Sequence, residues 1–116
     1  MAKYERKLTG DFNSLLETLH QGILRGSVSA TFQDGSNIDK GGVRCAVRVY
    51  ERFSQAGGSR VAANVTLLGD GNKLFLSIIT AGGSRATFFK INTWGEHTFL
   101  EKIVKVVDDW ERVINN

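Results

Sequence analysis

The stretch EHTFLEKIVKVVDDWERVI, residues 96–114, decides the fold because it is the one segment with a long, continuous apolar helical face. Its large apolar residues recur at steps of three and four, which is the spacing of one side of an α-helix. These residues are Phe99, Leu100, Ile103, Val104, Val107, Trp110, Val113 and Ile114. Each such side chain stabilises a fold by about 1.5–3 kcal/mol when it is fully buried. We therefore predict a long C-terminal helix, opened by a capping box at Thr93 and Glu96, that covers a sheet.

The length, composition and net charge of the chain limit the classes of protein to which it can belong. Its 116 residues suffice for one domain with an ordinary core, so we predict a single domain, 1–116. Hydrophobic residues make up 41% and charged residues 23%, and no apolar run approaches the ~20 residues that cross a bilayer. The first residues lack the apolar segment of a signal peptide, which predicts a cytoplasmic protein without membrane contact. The net charge of +3 falls short of the clustered excess of a dedicated nucleic-acid-binding protein.

The N-terminal quarter predicts a strand and then a helix. Residues 3–8 alternate between apolar and charged side chains, which indicates a short edge strand. Asp11 is placed to cap the first turn of a helix, and Gly26 is predicted to end it in a left-handed conformation. The apolar positions of this helix are Phe12, Leu15, Leu16, Leu19 and Ile23.

Alternating runs between the two helices predict five more strands. They lie around residues 28–32, 43–53, 61–67, 74–78 and 87–91. A polar loop is predicted at 34–42, and Asp70-Gly71 predicts a hairpin that pairs Leu67 with Leu74. The predicted fold is α+β, in the order β-α-β-β-β-β-β-α, with a mainly antiparallel sheet of five to six strands and both helices on one face. The direction in which the chain runs along each successive strand predicts that the first strand is parallel to its neighbours, through a right-handed βαβ crossover. It also predicts that both helices end at the same end of the sheet.

The alternation also predicts which side chains face the helices. In the strand from Val43 to Phe53 the odd-numbered residues are the apolar ones, so we predict that they point to the helices. The opposite face then carries arginines among aromatic and aliphatic side chains. Its candidate interface residues are Arg44, Arg48, Tyr50, Arg52, Phe75, Ile79 and Phe88. Such a face is typical of a protein interface, and a two-fold homodimer is the commonest arrangement.

Two other interpretations of this face stay open. A helix or loop of the same chain could cover it. Aromatic side chains among arginines also describe a stacking surface for single-stranded nucleic acid, which we rank third among the functions. Its residues would be Arg44, Arg48, Tyr50 and Phe88.

The tetrapeptide Gly-Gly-Ser-Arg occurs twice, at residues 57–60 and 82–85, and the two copies are predicted to be neighbours. Glycine-rich turns expose backbone amides that, with a hydroxyl and a guanidinium, can hold a phosphate or a carboxylate. This gives the alternative function, a domain that binds a small anion. Its site residues would be Ser59, Arg60, Ser84 and Arg85. The favoured interpretation is structural, because both arginines are expected beside the negative C-terminal ends of the helices.

Few residues of this chain are typical of catalysis or metal binding. The single cysteine, Cys45, excludes an internal disulfide, and with only His20 and His97 beside it the known zinc spacings are absent. We expect no metal and no cofactor. Cys45 is predicted to fill the core, and His97 to be a solvated residue. Because no catalytic triad, carboxylate pair, phosphate loop or dinucleotide fingerprint is present, an enzyme is the weaker interpretation.

Three segments carry a resemblance to a known family: VRCAVRVYER at 43–52, NVT at 64–66 and FFKINT at 88–93. They resemble a small bacterial family known as domain of unknown function 6054. The similarity extends over nearly the whole chain and implies a bacterial cytoplasmic protein, but it implies no activity and no site. We therefore expect a non-catalytic binding or interaction module that self-associates through the exposed sheet face.

Overall fold

The computed structural model describes residues 1–54, 59–82 and 89–115, and for residues 89–94 it describes the backbone alone. These residues form five strands and two helices, so the predicted α+β fold with a mainly antiparallel sheet is confirmed. The strands are β1 (Ala2–Thr9), β2 (Thr31–Lys40), β3 (Val43–Ser54), β4 (Ser59–Asp70) and β5 (Lys73–Gly82). The helices are α1 (Phe12–Arg25) and α2 (Phe89–Ile114).

The strands form one sheet in the order β1-β5-β4-β3-β2, and every neighbouring pair is antiparallel. The prediction of a parallel first strand is therefore wrong. It depended on a further strand through Thr87, Phe89 and Ile91, which would have paired with β5. Thr87 lies outside the described residues, while residues 89–91 belong to α2, and β1 occupies the edge beside β5 instead.

α2 runs in the direction opposite to the predicted one, because residues 89–91 belong to this helix and not to the predicted further strand. Near its start, Gly95 packs so closely on the end of β3 that an added Cβ would lie 2.5 Å from Ser54 Oγ. Near its end, the Trp110 indole Nε1 donates a hydrogen bond to Ser14 Oγ at 3.0 Å, beside the start of α1. The two helices are thus antiparallel, and the prediction that both end at the same end of the sheet is wrong.

α1 begins with the predicted cap, because the Asp11 carboxylate accepts a hydrogen bond from Ser14 N at 2.8 Å. Gly26 follows the last turn, but its φ of −73° is right-handed, so the predicted left-handed cap is wrong. The helices come closest at Gly22, where an added Cβ would lie 2.7 Å from Val106 Cγ1. A side chain at this position would force the two helices apart.

Two glycine turns set the strand registers. Gly41 and Gly42, with φ of 60° and 84°, form a two-residue turn between Lys40 and Val43. Positive φ at both positions is the mark of a type I′ turn, whose twist suits a hairpin. Residues 34–40 therefore belong to β2, where a polar loop was predicted.

The hairpin between β4 and β5 turns one residue later than predicted, at Gly71 and Asn72. Leu67 consequently pairs with Leu76 and not with Leu74. Because this changes the pairing by two residues, every side chain of β4 and β5 stays on its predicted face.

The hydrophobic core lies between the two helices and one face of the sheet. The apolar stripe of α2 supplies five of its buried side chains, as the spacing predicted. These are Phe99, Leu100, Ile103, Val107 and Trp110. Val104 is partly buried, whereas Val113 and Ile114, at the end of the stripe, are exposed. No helix within the described residues is both long and apolar enough to span a bilayer.

Candidate functional site

β3 presents its residues to the faces opposite to those that its alternation predicted. Its last residue, Ser54, pairs with Ser59 at the start of β4, and this register sets Tyr50 opposite Ala63. Residues that are directly opposite in a sheet share a face, and Ala63 is fully buried under the helices. The even-numbered residues of β3 therefore face the helices, and its odd-numbered residues face away from them.

We call the side of the sheet opposite the two helices the back face. Cys45, Val47 and Val49 of β3 point to it and are partly exposed, and Phe53 follows them with 46% of its surface exposed. The apolar side of β3 is thus outside the core. The prediction that Cys45 fills the core is wrong for the same reason.

A row of four apolar side chains crosses the back face. Phe75 on β5 lies opposite Leu68 on β4, Leu68 opposite Cys45 on β3, and Cys45 opposite Ile38 on β2. We call these four residues the apolar band. Leu68 is 40% and Ile38 60% exposed, so the band is open to solvent in the monomer. A contiguous apolar patch on an otherwise polar surface usually marks an interaction site.

Charged side chains lie at the edges of the back face. A second row, four residues along the strands from the apolar band, runs from Lys3 on β1 through Ile79, Asn64 and Val49 to Asp34 on β2. Lysine and aspartate therefore occupy opposite rims, with uncharged residues between them. An apolar or neutral centre inside a charged rim is the usual anatomy of a protein interface.

Two arginines that were predicted on the back face stack on helix residues instead. The guanidinium carbon of Arg44 lies 4.2 Å from the ring centroid of Phe12 on α1. The guanidinium carbon of Arg52 lies 4.8 Å from the ring centroid of Phe99 on α2. Their prediction as back-face residues is wrong, because the β3 register turns even-numbered positions to the helices.

Tyr50, also predicted on the back face, is a buried member of the core with 1% of its surface exposed. Its hydroxyl lies 2.8 Å from Nδ1 of His20 on α1, and the rings of Tyr50, His20 and Phe32 are in mutual contact. Burial raises the pKa of Tyr50 to about 12, because the phenolate would lose its hydration. Tyr50 therefore fixes α1 to the sheet and is unavailable to a partner.

The remaining predicted interface residues do not all lie on the back face. Phe75 and Ile79 lie on the back face and are partly exposed, as predicted, whereas Phe88 lies outside the described residues. Arg48 lies on the helix side, where its guanidinium donates a hydrogen bond to Asn37 Oδ1 at 2.9 Å. Of the four residues named for the nucleic-acid interpretation, Arg44, Arg48 and Tyr50 thus lie on the helix side, and Phe88 is outside the described residues.

The Gly-Gly-Ser-Arg residues are only partly within the described chain. Arg60 Nε donates a hydrogen bond to Glu51 Oε1 at 2.8 Å, so this guanidinium already has a carboxylate partner. Ser59 starts β4 beside it. Ser84 and Arg85 lie outside the described residues. The helix end expected near these turns belongs to α1 alone, since α2 starts at this end of the sheet.

The described residues include no group of three or more His, Cys, Asp or Glu side chains that could hold a metal ion. His97 is exposed on α2, and the imidazole of His20 is engaged by Tyr50. Sequence reasoning assigned the residues of β3 to the wrong faces, the odd-numbered apolar ones to the helices and the even-numbered ones to the back face. The face that each β3 residue takes depends on the number of residues between β3 and β4. This number decides whether the even- or the odd-numbered residues of β3 share a face with Ala63.

A family model matches residues 1–111, which is nearly the whole chain. The chain belongs to the family DUF6054. DUF6054 is described as a family of unknown function, so the resemblance predicted from three segments is confirmed and brings no activity with it. No curated protein and no solved structure matches the chain.

Proposed function

We propose that this protein is a non-catalytic binding module of the bacterial cytoplasm that forms a two-fold homodimer through its back face. The observation that carries the proposal is the orientation of β3, whose apolar side, Cys45, Val47 and Val49, is turned away from the helices. In a two-layer domain a strand normally turns its apolar side to the core. A second copy of the same face would remove this surface from water.

The dimensions of the back face support a stable interface. Its five strands, at about 4.8 Å spacing, give a width of roughly 24 Å. Strands of 8 to 12 residues, at about 3.3 Å per residue, give a length of roughly 26–40 Å. The face therefore offers roughly 600–950 Å² per copy, which brackets the ~800 Å² per partner of a standard interface.

The rim charges favour one orientation of the two copies. A two-fold axis parallel to the strands and centred on β4 sets β1 of one copy across β2 of its partner. Lys3 then lies opposite Asp34 at both edges, and the two apolar bands meet at Leu68. Two sheets that pack face to face with nearly aligned strands, about 10 Å apart, are the arrangement of a β-sandwich.

The test is light scattering after size-exclusion chromatography of the wild type and two variants. The wild type is expected at twice the 12.8 kDa of one chain. Leu68→Asp places a charge in the dry centre of the interface and should be a folded monomer, since Leu68 is 40% exposed within one chain. Val113→Asp makes a matched change at an exposed position of α2 and should remain a dimer.

Two outcomes would remove the proposal. One is a wild type that stays monomeric at the highest concentration reached. The other is a Leu68→Asp variant that has the same circular dichroism spectrum as the wild type and is still a dimer.

A further inference from the structure

We propose that the cleft between the end of α1, the end of β3 and α2 binds a small organic oxyanion, a carboxylate or a phosphate, through Arg52 and Lys102. The cleft has a volume of about 760 Å³. Residues 26–29, residues 52–54 and three residues of α2, Gly95, Thr98 and Lys102, form its wall. Its size lies within the ~300–1,000 Å³ of small-molecule sites.

Arg52 is a buried cation that has no counter-ion among the residues that the structure describes. Only 7% of its surface is exposed, its Nε has no hydrogen-bond partner among the described residues, and it makes none of the ion pairs found there. Within the described part of the chain, its compensating contact is the ring of Phe99. A cation–π contact offsets only a small part of the cost of burying an ion. The guanidinium therefore lacks the partner that its burial calls for, and this burial lowers the pKa of Arg52.

The described wall of the cleft contains two cations and no carboxylate. Lys102 Nζ donates a hydrogen bond to Gly26 O at 3.0 Å, which holds the ammonium group against the end of α1. Glu51 and Glu96, on the segments that form the cleft, are engaged elsewhere. Glu51 pairs with Arg60, and Glu96 contacts the N-terminal amine and accepts a hydrogen bond from a β5 amide. Positive charge without an internal partner attracts an anion.

The chemistry of the wall defines the ligand class. A guanidinium matches a carboxylate or a phosphate through two parallel hydrogen bonds, and an ammonium adds a point charge. Ser27 and Thr98 bring hydroxyl groups to the same wall, while Phe53 and Val28, both exposed, provide apolar surface. An oxyanion that is attached to a small apolar body fits this combination better than a bare inorganic ion.

The first experiment titrates the wild type with three probes of similar shape: benzoate, phenyl phosphate and neutral benzamide. The Nε–Hε resonance of Arg52 in ¹H–¹⁵N spectra reports contact, and the melting temperature reports binding to the native state. An anion is expected to shift this resonance and to raise the melting temperature, and benzamide is expected to do neither. The response to benzoate against phenyl phosphate distinguishes a carboxylate from a phosphate. An unchanged Arg52 resonance with both anions at tens of millimolar would overturn the proposal.

Variants then assign the binding to the two cations. Arg52→Met keeps an apolar contact with Phe99 and should lower the affinity by more than about tenfold, since hydrogen bonds to a charged group are lost. Lys102→Met should weaken binding less, and Lys105→Met, on the same helix but outside the cleft, should not weaken it. Full affinity in a folded Arg52→Met variant would overturn the proposal. If that variant does not fold, equal affinity of Lys102→Met and Lys105→Met would overturn it.

The monomeric Leu68→Asp variant separates this inference from the dimer. Leu68 lies outside the cleft, so the variant is expected to bind the anion with wild-type affinity. Loss of the dimer with anion binding retained supports both proposals. Loss of anion binding in this variant would show that the site needs the dimer, and would overturn the assignment to the cleft of one chain.

Discussion

β3 and β4 are neighbouring strands in which apolar and polar residues alternate in a similar way, yet their apolar sides face opposite sides of the sheet. The odd-numbered apolar residues of β4, Val61, Val65 and Leu67 among them, are fully buried against the helices. The apolar residues of β3, including Val47 and Val49, face away from the helices and are partly exposed. Alternation thus shows that a strand has an apolar side, but not which layer that side contacts. In β3 the register with β4 decides it.

The largest expected difference between the two strands is in stability. Val65→Ala should lower the free energy of unfolding by about 2–3 kcal/mol, from two lost methyl groups at about 0.8 kcal/mol each and the cavity left behind. Val49→Ala, the same change on β3, should cost less than about 1 kcal/mol, because its side chain is partly exposed within one chain. Urea unfolding of both variants in the monomeric Leu68→Asp background measures this difference. Equal losses would mean that Val49 is a core residue.

The next effect tests the polar side of β3. Tyr50→Phe removes the hydrogen bond between the Tyr50 hydroxyl and His20 Nδ1, and should lower the free energy of unfolding by about 1–1.5 kcal/mol at neutral pH. Tyr4→Phe, at the other tyrosine of the chain, is the control, because Tyr4 is only partly buried. If Tyr50→Phe were as stable as the wild type, the burial of the Tyr50 hydroxyl on the helix side of β3 would be contradicted.

The same tyrosine predicts a pH dependence. In the unfolded chain Tyr50 ionises near its ordinary pKa of ~10, whereas burial raises its pKa in the folded protein to about 12. Between these values the folded state binds more protons, so its stability falls as the pH rises from 10 to 12. The difference in unfolding free energy between wild type and Tyr50→Phe, measured across this range, should shrink with pH. A constant difference would show that the Tyr50 hydroxyl titrates normally.

The smallest expected effect concerns the rim of the back face. Lys3→Glu should weaken the proposed dimer by about 0.2–1 kcal/mol at each of its two edges, or up to about thirtyfold in its dissociation constant, since an exposed ion pair is lost at each edge. Combining Lys3→Glu with Asp34→Lys reverses the pair and should restore the affinity. A double-mutant cycle of the wild type, Lys3→Glu, Asp34→Lys and the double variant separates the coupling of the two charges from the effect of each charge alone. A coupling of zero would exclude the orientation that places β1 across β2.

Much of the fold could be predicted from local patterns. The stripe of α2, the Asp11 cap and the alternation of β4 and β5 each depend on residues close in sequence, and the structure reproduces them. The errors share a different origin. Residues 87–91 were assigned to a strand, which reversed the direction of α2 and changed the partner of β1. Such errors arise because the partner of a strand is fixed by distant contacts.

The candidate sites were harder to predict for the same reason. Phe75 and Ile79 were expected on the back face, and they lie there because β5 follows its alternation. Arg52 was expected there too, and its burial beside Phe99 depends on the β3 register and on the course of α2. No local pattern of the sequence reports that an arginine is buried without a carboxylate.

The reactivity of Cys45 toward a thiol reagent, measured at increasing protein concentration, shows whether the apolar side of β3 is exposed in one chain and buried in a dimer. Cys45 is the single cysteine, lies in the apolar band and is partly exposed within one chain. The account predicts that Cys45 of the folded protein reacts readily at low concentration and more slowly as the concentration rises, while in Leu68→Asp its rate is independent of concentration. A thiol that reacts only after unfolding would place the apolar side of β3 in the core. A rate that never changes with concentration in the wild type would contradict the dimer.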